Sequence, residues 1–178
     1  MDKALIAIDS EGGGCVDPLS GLYRPEHFFI ALDKELARLS NAQGALGILL
    51  ISFPMPPNWA TTGREIVDAL GGCDQAARLG EAGCAVLMPE VSIRKVVRVL
   101  RQLGQGLGEL NCGLALAWPG QTPTAEGLLT LAKEREAELA VTLKSIDEDH
   151  GSWERDTALR PAEKDSLFQG FGLLNAGK

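Results

Sequence analysis

One short segment, residues 78–89, constrains the fold of this chain more than any other part of the sequence. It contains an apolar strand pattern, a tight turn at Glu81-Ala82 between two glycines, and a second apolar strand that we expect to end at Pro89. Bounded apolar runs separated by a short glycine-flanked turn predict a β-hairpin. The segment therefore predicts an antiparallel pair of strands.

Hydrophobic periodicity predicts four helices and two further strands around this hairpin. The helices are expected at 26–39 and 62–70, after an N-cap at Ser92, and after an N-cap at Thr124. We expect glycines 104, 106 and 108 to end the third helix. The strands are expected at 45–53, an unbroken apolar run typical of a strand covered on both faces, and at 110–118. The order α-β-α-β-β-α-β-α predicts an α/β (α+β) fold of the ferredoxin-like or nucleotidyl-cyclase type, with a mostly antiparallel sheet and helices packed on its faces.

Size and charge exclude several classes of protein. The 178 residues suit one domain with a tail, and a hydrophobic content of 45% argues against wholesale disorder. The formal net charge of −7 provides no general attraction for nucleic acid or anionic membranes. The longest apolar run, 45–51, is far shorter than the roughly 20 residues that span a bilayer. We therefore expect a cytoplasmic protein with no membrane insertion and no nucleic-acid partner.

Cysteines, histidines and glycines do not form a recognisable metal or nucleotide motif. The four cysteines lack metal-site spacing, and Cys84 and Cys112 lie in apolar strands, where we expect buried thiols. His27 and His150 have no partner at ligand spacing. The glycines at 12–14 are not followed by Lys and Ser or Thr, so they predict a flexible linker rather than a phosphate loop. The sequence predicts no metal and no cofactor.

Three motifs in the right order resemble those of the GGDEF family, the diguanylate cyclases. Residues 17–23 (DPLSGLY) are similar to the family's opening Asp-x-Leu-Thr-Gly-Leu, and residues 111–115 (NCGLA) to its Ser-Ile-Gly-Val-Ala strand. The hairpin from Arg78 to Pro89 has the frame of the family's signature hairpin. The resemblance spans 17–144 and implies three segments: an N-terminal strand or linker at 1–16, a degenerate GGDEF-like domain at 17–144, and a C-terminal extension at 145–178.

Within this frame, the residues of the signature are replaced. The resemblance places Glu81 where the family has its second glycine, Ala82 at a metal-binding acid, and Gly83 and Cys84 at the following Glu and Phe, while Gly80 is kept. It places Ser52 at the other metal-binding acid. A hydroxyl and a methyl group cannot hold Mg²⁺ against water. The resemblance therefore implies that the metal site is lost.

The nucleotide-binding positions are also altered. Residues 55–59 replace a longer segment that cradles phosphate, and their prolines remove amide donors. Ala140 aligns with a phosphate-binding lysine, with Lys144 one turn later, and Gly71 replaces the arginine of the product-inhibition motif. The residual ligand contacts that the resemblance leaves are Asp74, Arg78 and Lys144.

These observations predict a catalytically inactive GGDEF-like domain that acts in signalling or protein–protein interaction. The alternative is a non-catalytic receptor for GTP or cyclic di-GMP, and a third hypothesis is an unrelated ferredoxin-like enzyme that uses Glu65, Asp68 or Glu81. A protein partner is expected, with a docking face formed by three arginines at helical spacing: Arg94, Arg98 and Arg101.

Two other features are weighed outside the motifs. Trp59, which follows the prolines, is expected to fill the emptied nucleotide cleft, and full exposure of its side chain would contradict this. The charged residues 133–138 are interpreted as a solvated helix face without function.

Overall fold

The computed structural model describes residues 14–107 and 110–136. Its eight elements follow the predicted order of helices and strands, which is confirmed. They are α1 (Pro25–Leu39), β1 (Ala45–Ser52), α2 (Trp59–Ala69), β2 (Gln75–Arg78), β3 (Gly83–Val91), α3 (Ile93–Leu107), β4 (Asn111–Ala117) and α4 (Ala125–Glu134).

The strands form one four-stranded sheet in the order β2-β3-β1-β4, and every neighbouring pair is antiparallel. β2 and β3 form the predicted hairpin. Helix α2 connects β1 to β2, and β3 lies between these two strands in the sheet. Helix α3 connects β3 to β4, and β1 lies between them. This arrangement of two split β-α-β units is the ferredoxin-like topology that the sequence predicts.

Each face of the sheet is covered by helices. Leu49 and Ile51 of β1 point into the hydrophobic cluster that contains the buried side chains of α2 and α3. Ile48 points into the opposite cluster, which contains those of α1 and α4. The unbroken apolar run of β1 is therefore explained by burial on both faces.

Helix α2 begins three residues earlier than the sequence predicts. It starts at Trp59 because the Asn58 side chain accepts a hydrogen bond from the Ala60 amide at 3.2 Å and caps the helix. The predicted caps of the other two helices are confirmed, since Ser92 Oγ accepts from the Lys95 amide and Thr124 Oγ1 from the Gly127 amide. No helix among the described residues is long and apolar enough to cross a membrane.

The prediction that the glycines at 104, 106 and 108 end α3 is wrong for Gly104 and Gly106, and Gly108 lies outside the described residues. The helix continues through Gly104 and Gly106 to Leu107. Glycine inside a helix costs only about 1 kcal/mol relative to alanine. The burial of Leu103 in the α2/α3 cluster, with Leu107 packed against it, offsets this cost.

The prediction that the second hairpin strand ends at Pro89 is also wrong. β3 continues to Val91 through a β-bulge, because Ala45 pairs with Val91 whereas Gly47 pairs with Met88. Two residues, Pro89 and Glu90, thus lie opposite one residue of β1. A bulge accommodates a proline, which lacks an amide hydrogen, and Glu90 takes a positive φ of 50° there.

Candidate functional site

The hairpin turn between β2 and β3 contains Glu81 and Ala82, and two backbone hydrogen bonds fix its conformation. The Leu79 amide donates to the Gly83 carbonyl at 2.8 Å, which closes the turn. The Phe53 amide, just after β1, donates to the Ala82 carbonyl at 2.8 Å. Gly80 has a φ of 84°, in the left-handed region that favours glycine. The end of β1 and the turn are therefore one structural unit.

Trp59, the first residue of α2, anchors this turn. Its side chain is only 4% exposed, and its indole Nε1 donates to the Glu81 carbonyl at 2.7 Å. Its ring meets the Phe53 ring edge to face at a centroid distance of 5.8 Å. Trp59 is therefore not exposed, whereas full exposure would have contradicted the hypothesis for this residue, and its indole packs against the hairpin turn.

Arg78 links the turn to the segment before α1. Its Nε donates to the Gly80 carbonyl at 2.8 Å, its Nη1 lies 3.2 Å from Asp17 Oδ2, and its guanidinium lies 4.9 Å from the centroid of the Trp59 ring. Asp17 also accepts hydrogen bonds from the amide and the hydroxyl of Ser20, at 3.1 and 2.7 Å. We call Trp59, Arg78 and Asp17, with the turn that they hold, the hairpin corner.

The electrostatics of the hairpin corner favour an ionised Asp17. Burial opposes ionisation of this carboxyl, but the hydrogen bonds from Ser20 and Arg78 and from the Leu19 backbone outweigh it and hold the pKa of Asp17 below its ordinary value. The carboxylate is thus an acceptor at neutral pH, as the arginine requires.

A second polar cluster lies at the end of β1. Ser52 Oγ donates to the Glu136 carboxylate at 2.6 Å, and Lys133 Nζ lies 2.9 and 3.0 Å from the two oxygens of that carboxylate. Lys133 Nζ also lies 3.5 Å from Ser52 Oγ. The side chain of Glu136 is 16% exposed and that of Lys133 is 61% exposed. We call these three residues the β1-end cluster.

A close contact between α4 and β4 brings this cluster together. A Cβ built on Gly113 would lie 1.7 Å from the Ala132 carbonyl oxygen, so only glycine allows the helix to approach this strand so closely. The approach carries Glu136 over the strand end, near Cys112. Burial, with a contribution from the Glu136 charge, raises the pKa of the Cys112 thiol to about 12.

Asp74 lies in a separate corner, between α3 and the start of β2. Its side chain is fully buried, it accepts from the Gly71 amide at 2.9 Å, and its other oxygen lies 2.5 Å from Lys95 Nζ. Arg98 is close by, since its Nη2 would lie 3.7 Å from a Cβ built on Gly71. The buried carboxylate is thus matched by charge from α3.

Several solved structures with a similar fold are diguanylate cyclases or GGDEF domains. No protein-family model matches the sequence, and no curated protein sequence matches it. The diguanylate cyclase SiaD from Pseudomonas aeruginosa, solved in complex with its activator SiaC, superposes with a TM-score of 0.60 at 15% identity, over 71% of this chain and 58% of that one. The chain thus spans less than two thirds of SiaD.

Two further structures are matched over nearly their whole length. The GGDEF domain of FimX from Pseudomonas aeruginosa gives a TM-score of 0.59 at 17% identity, over 72% of this chain and 94% of that one. The GGDEF domain of DgcB from Caulobacter crescentus, in complex with cyclic di-GMP, gives 0.57 at 14% identity, over 77% and 94%. This chain has a GGDEF-like fold.

The GGDEF-like fold places several of the predicted residues together. The turn residues from Gly80 to Cys84 are adjacent to the end of β1, because Ser52 pairs with Gly83 across the two strands. Arg78 belongs to the same corner. Asp74 does not, and Lys144 lies outside the described residues, as does Ala140.

The residues of the predicted docking face and those of the third hypothesis lie on different parts of the structure. The three arginines at positions 94, 98 and 101 are exposed on α3, as the helical spacing predicts. Glu65 lies against Gly106 of α3, whereas Glu81 lies in the hairpin turn. Within residues 14–107 and 110–136, no group of three or more His, Cys, Asp or Glu side chains could hold a metal ion.

Sequence reasoning missed the roles of three residues. Lys95 pairs with Asp74, and Lys133 and Glu136 belong to the β1-end cluster. The interpretation of 133–138 as a purely solvated face is wrong for Glu136, which is mostly buried and bonded to Ser52. The signal that could have indicated this contact is the glycine at 113 in the middle of an apolar strand, since such a glycine marks the close approach of another backbone.

Proposed function

We propose that this GGDEF-like domain does not synthesise cyclic di-GMP and acts instead in signalling through protein–protein interaction. The observation that carries the proposal is the geometry at the two positions that resemble metal-binding acids. Ser52 donates its hydroxyl to Glu136, and Ala82, whose carbonyl accepts from Phe53, presents only a methyl group. Neither side chain supplies a carboxylate to a shared site.

The chemistry explains why this matters. Joining two GTP molecules requires an activated 3′-hydroxyl and a neutralised α-phosphate, and divalent metal held by carboxylates performs both tasks. Mg²⁺ prefers hard oxygen ligands and gives up its water reluctantly. A hydroxyl that is already committed to a carboxylate does not replace two acidic ligands.

The segment between β1 and α2 supports the same proposal. Pro54, Met55 and Pro56 are exposed, and three of the four residues 54–57 have no amide hydrogen. Backbone amides are what a phosphate loop offers to its ligand. This segment therefore cannot form a cradle of amide donors.

Catalytic inactivity is tested by incubating the purified protein with GTP and Mg²⁺ or Mn²⁺ and measuring cyclic di-GMP by chromatography. We expect no product, with an active diguanylate cyclase as the positive control. The matched variant is Ser52→Ala, which removes the hydroxyl group that donates to Glu136 at the end of β1. Product formed by the native protein would refute the proposal, and loss of that product in Ser52→Ala would exclude a contaminating cyclase as its source.

The receptor alternative is less well supported by the contacts. Arg78 is committed to Gly80, Asp17 and Trp59, and Asp74 to Gly71 and Lys95. A nucleotide would have to displace these internal partners. Thermal-shift titration separates the two hypotheses, since a ligand at 100 times its Kd adds about 2.7 kcal/mol of stability. A saturable shift with GTP or cyclic di-GMP would favour the receptor.

For the interaction role, we propose the α3 face with Arg98 and Arg101 as the surface for an acidic partner. The structure of SiaD with its activator shows that a protein with this fold can assemble with another protein. A partner bound through this face should be lost by Arg101→Glu and by added salt, while the domain melts normally. A partner whose affinity is unchanged by the charge reversal would exclude this face.

A further inference from the structure

The β1-end cluster has a feature that catalytic inactivity does not explain. Loss of the metal-binding acids requires only that Ser52 and Ala82 lack carboxylates. The structure also shows a carboxylate and a cation at the strand end, both supplied by α4 and its continuation. These groups form a defined arrangement around one positive charge.

Lys133 Nζ contacts oxygens of two residues at the end of β1, although its side chain is 61% exposed. Two of these oxygens belong to the Glu136 carboxylate, at 2.9 and 3.0 Å, and the third is Ser52 Oγ at 3.5 Å. Carboxylate and hydroxyl oxygens are hard ligands of the type that a divalent cation selects. The Ser52 hydroxyl is directed at the same carboxylate, so the three polar groups form one connected network.

We propose that Lys133 is a built-in cation that occupies the place of a divalent metal at the end of β1. Its single charge is balanced by Glu136, which leaves the strand end neutral without any bound ion. Ser52 orients the carboxylate that holds the lysine. The inference rests on the proposed function, because it takes Ser52 to be the former metal position.

Charge decides the competition between the lysine and a metal ion. A divalent cation at the Glu136 carboxylate would lie beside the Lys133 ammonium, and like charges that close repel even at the dielectric constant of water. Removing the ammonium while adding a second carboxylate should therefore convert the cluster into a divalent-cation site. Adding the carboxylate alone should do so less well, because the lysine stays in place.

The experiment measures Mn²⁺ binding by electron paramagnetic resonance and by thermal shift, on the full chain and without nucleotide. We expect Ser52→Asp/Lys133→Met to bind Mn²⁺ on the order of tenfold more tightly than Ser52→Asp, since one nearby positive charge is removed. The matched control is Ser52→Asp/Lys34→Met, which removes an exposed lysine on α1 and should bind like Ser52→Asp. Equal affinity of all three variants would overturn the proposal.

A second comparison keeps the native serine, in case the double variant does not fold. Mn²⁺ should raise the melting temperature of Lys133→Met more than that of the native protein, and an equal response would again overturn the proposal. Both measurements are independent of turnover. If the Mn²⁺ measurements contradict the role of Lys133, the proposal of catalytic inactivity is unaffected. Synthesis of cyclic di-GMP by the native protein would instead refute the proposal of inactivity.

Discussion

The hairpin corner and the β1-end cluster are neighbours in the sheet, but they are held by different kinds of interaction. In the hairpin corner, a buried indole and an arginine that is 23% exposed fix the backbone of the turn. In the β1-end cluster, a lysine that is 61% exposed meets a carboxylate near the surface. Exposed ion pairs contribute little to stability, typically about 0–1 kcal/mol. We therefore expect the hairpin corner to contribute more to stability than the β1-end cluster.

The two regions also differ in what their polar residues contact. Asp17 and Arg78, which match the family's motifs, hold the turn in place. Ser52, by contrast, donates to the Glu136 carboxylate, and the Glu81 carbonyl accepts from the Trp59 indole. Both of these positions therefore contact other parts of the protein in this structure.

The largest effect that we expect is at the centre of the hairpin corner. Trp59→Ala should lower the free energy of unfolding by about 3–5 kcal/mol, the usual cost of truncating a buried aromatic side chain. Trp59→Phe keeps the ring but leaves the Glu81 carbonyl without its donor, so it should cost about 1–2 kcal/mol. Urea unfolding measures both changes. A loss below about 1 kcal/mol for Trp59→Ala would show that the indole does not anchor the corner.

The second largest loss of stability is expected where α4 packs on β4, beside the β1-end cluster. Gly113→Ala forces a methyl group against the backbone of α4, and we expect a loss of about 1–3 kcal/mol, as for other overpacked sites. The matched control is Gly104→Ala, because a Cβ added at this position inside α3 would have no neighbouring atom within 4 Å. That control should stabilise the protein by about 0.5–1 kcal/mol in the same denaturation assay. Equal effects of the two substitutions would contradict the close approach of α4.

A smaller, pH-dependent effect distinguishes the ionic part of the hairpin corner from its hydrophobic part. Because the pKa of Asp17 is lower in the folded protein, its contribution to stability is complete above its unfolded pKa of about 3.9 and is lost as the pH falls through the folded pKa. Asp17→Asn should therefore cost about 1 kcal/mol at pH 7, and the difference from the native protein should shrink below about pH 4. A difference that stays constant from pH 7 to pH 3 would exclude an ionised Asp17 as the cause.

The smallest effect concerns the reactivity of cysteine thiols rather than stability. It compares Cys84, next to the hairpin turn, with Cys112, next to the β1-end cluster. Cys84 and Cys112 flank Ile51 on β3 and β4, both are buried, and burial raises the pKa of each thiol. Cys15 and Cys73 are exposed. A thiol reagent at pH 8 should therefore label only Cys15 and Cys73 rapidly, and the remaining pair only after unfolding. Rapid labelling of Cys112 would show that the β1-end cluster opens to solvent.

The sequence predicts the sheet and its covering helices well because both depend on local periodicity. The continuous apolar run of β1 and the glycine-flanked turn before β3 each determine their own structure. The β1-end cluster could not be predicted in this way, because Ser52 and Glu136 are 84 residues apart and meet only when α4 packs on β4. The sequence predicts too short an α3 for a related reason, since burial outweighs the local preference of Gly104.

The β-bulge at Pro89 and Glu90 determines on which face of the sheet the chain leaves β3 to begin α3. Along β3, even-numbered residues such as Val86 and Met88 face the α2/α3 layer, and odd-numbered ones such as Leu87 face the other layer. The extra residue reverses this parity, so that odd-numbered Val91 also packs on the α2/α3 layer. The chain thereby arrives on the correct side of the sheet and α3 starts two residues later, at Ile93. A one-residue insertion thus takes the place of a connecting loop.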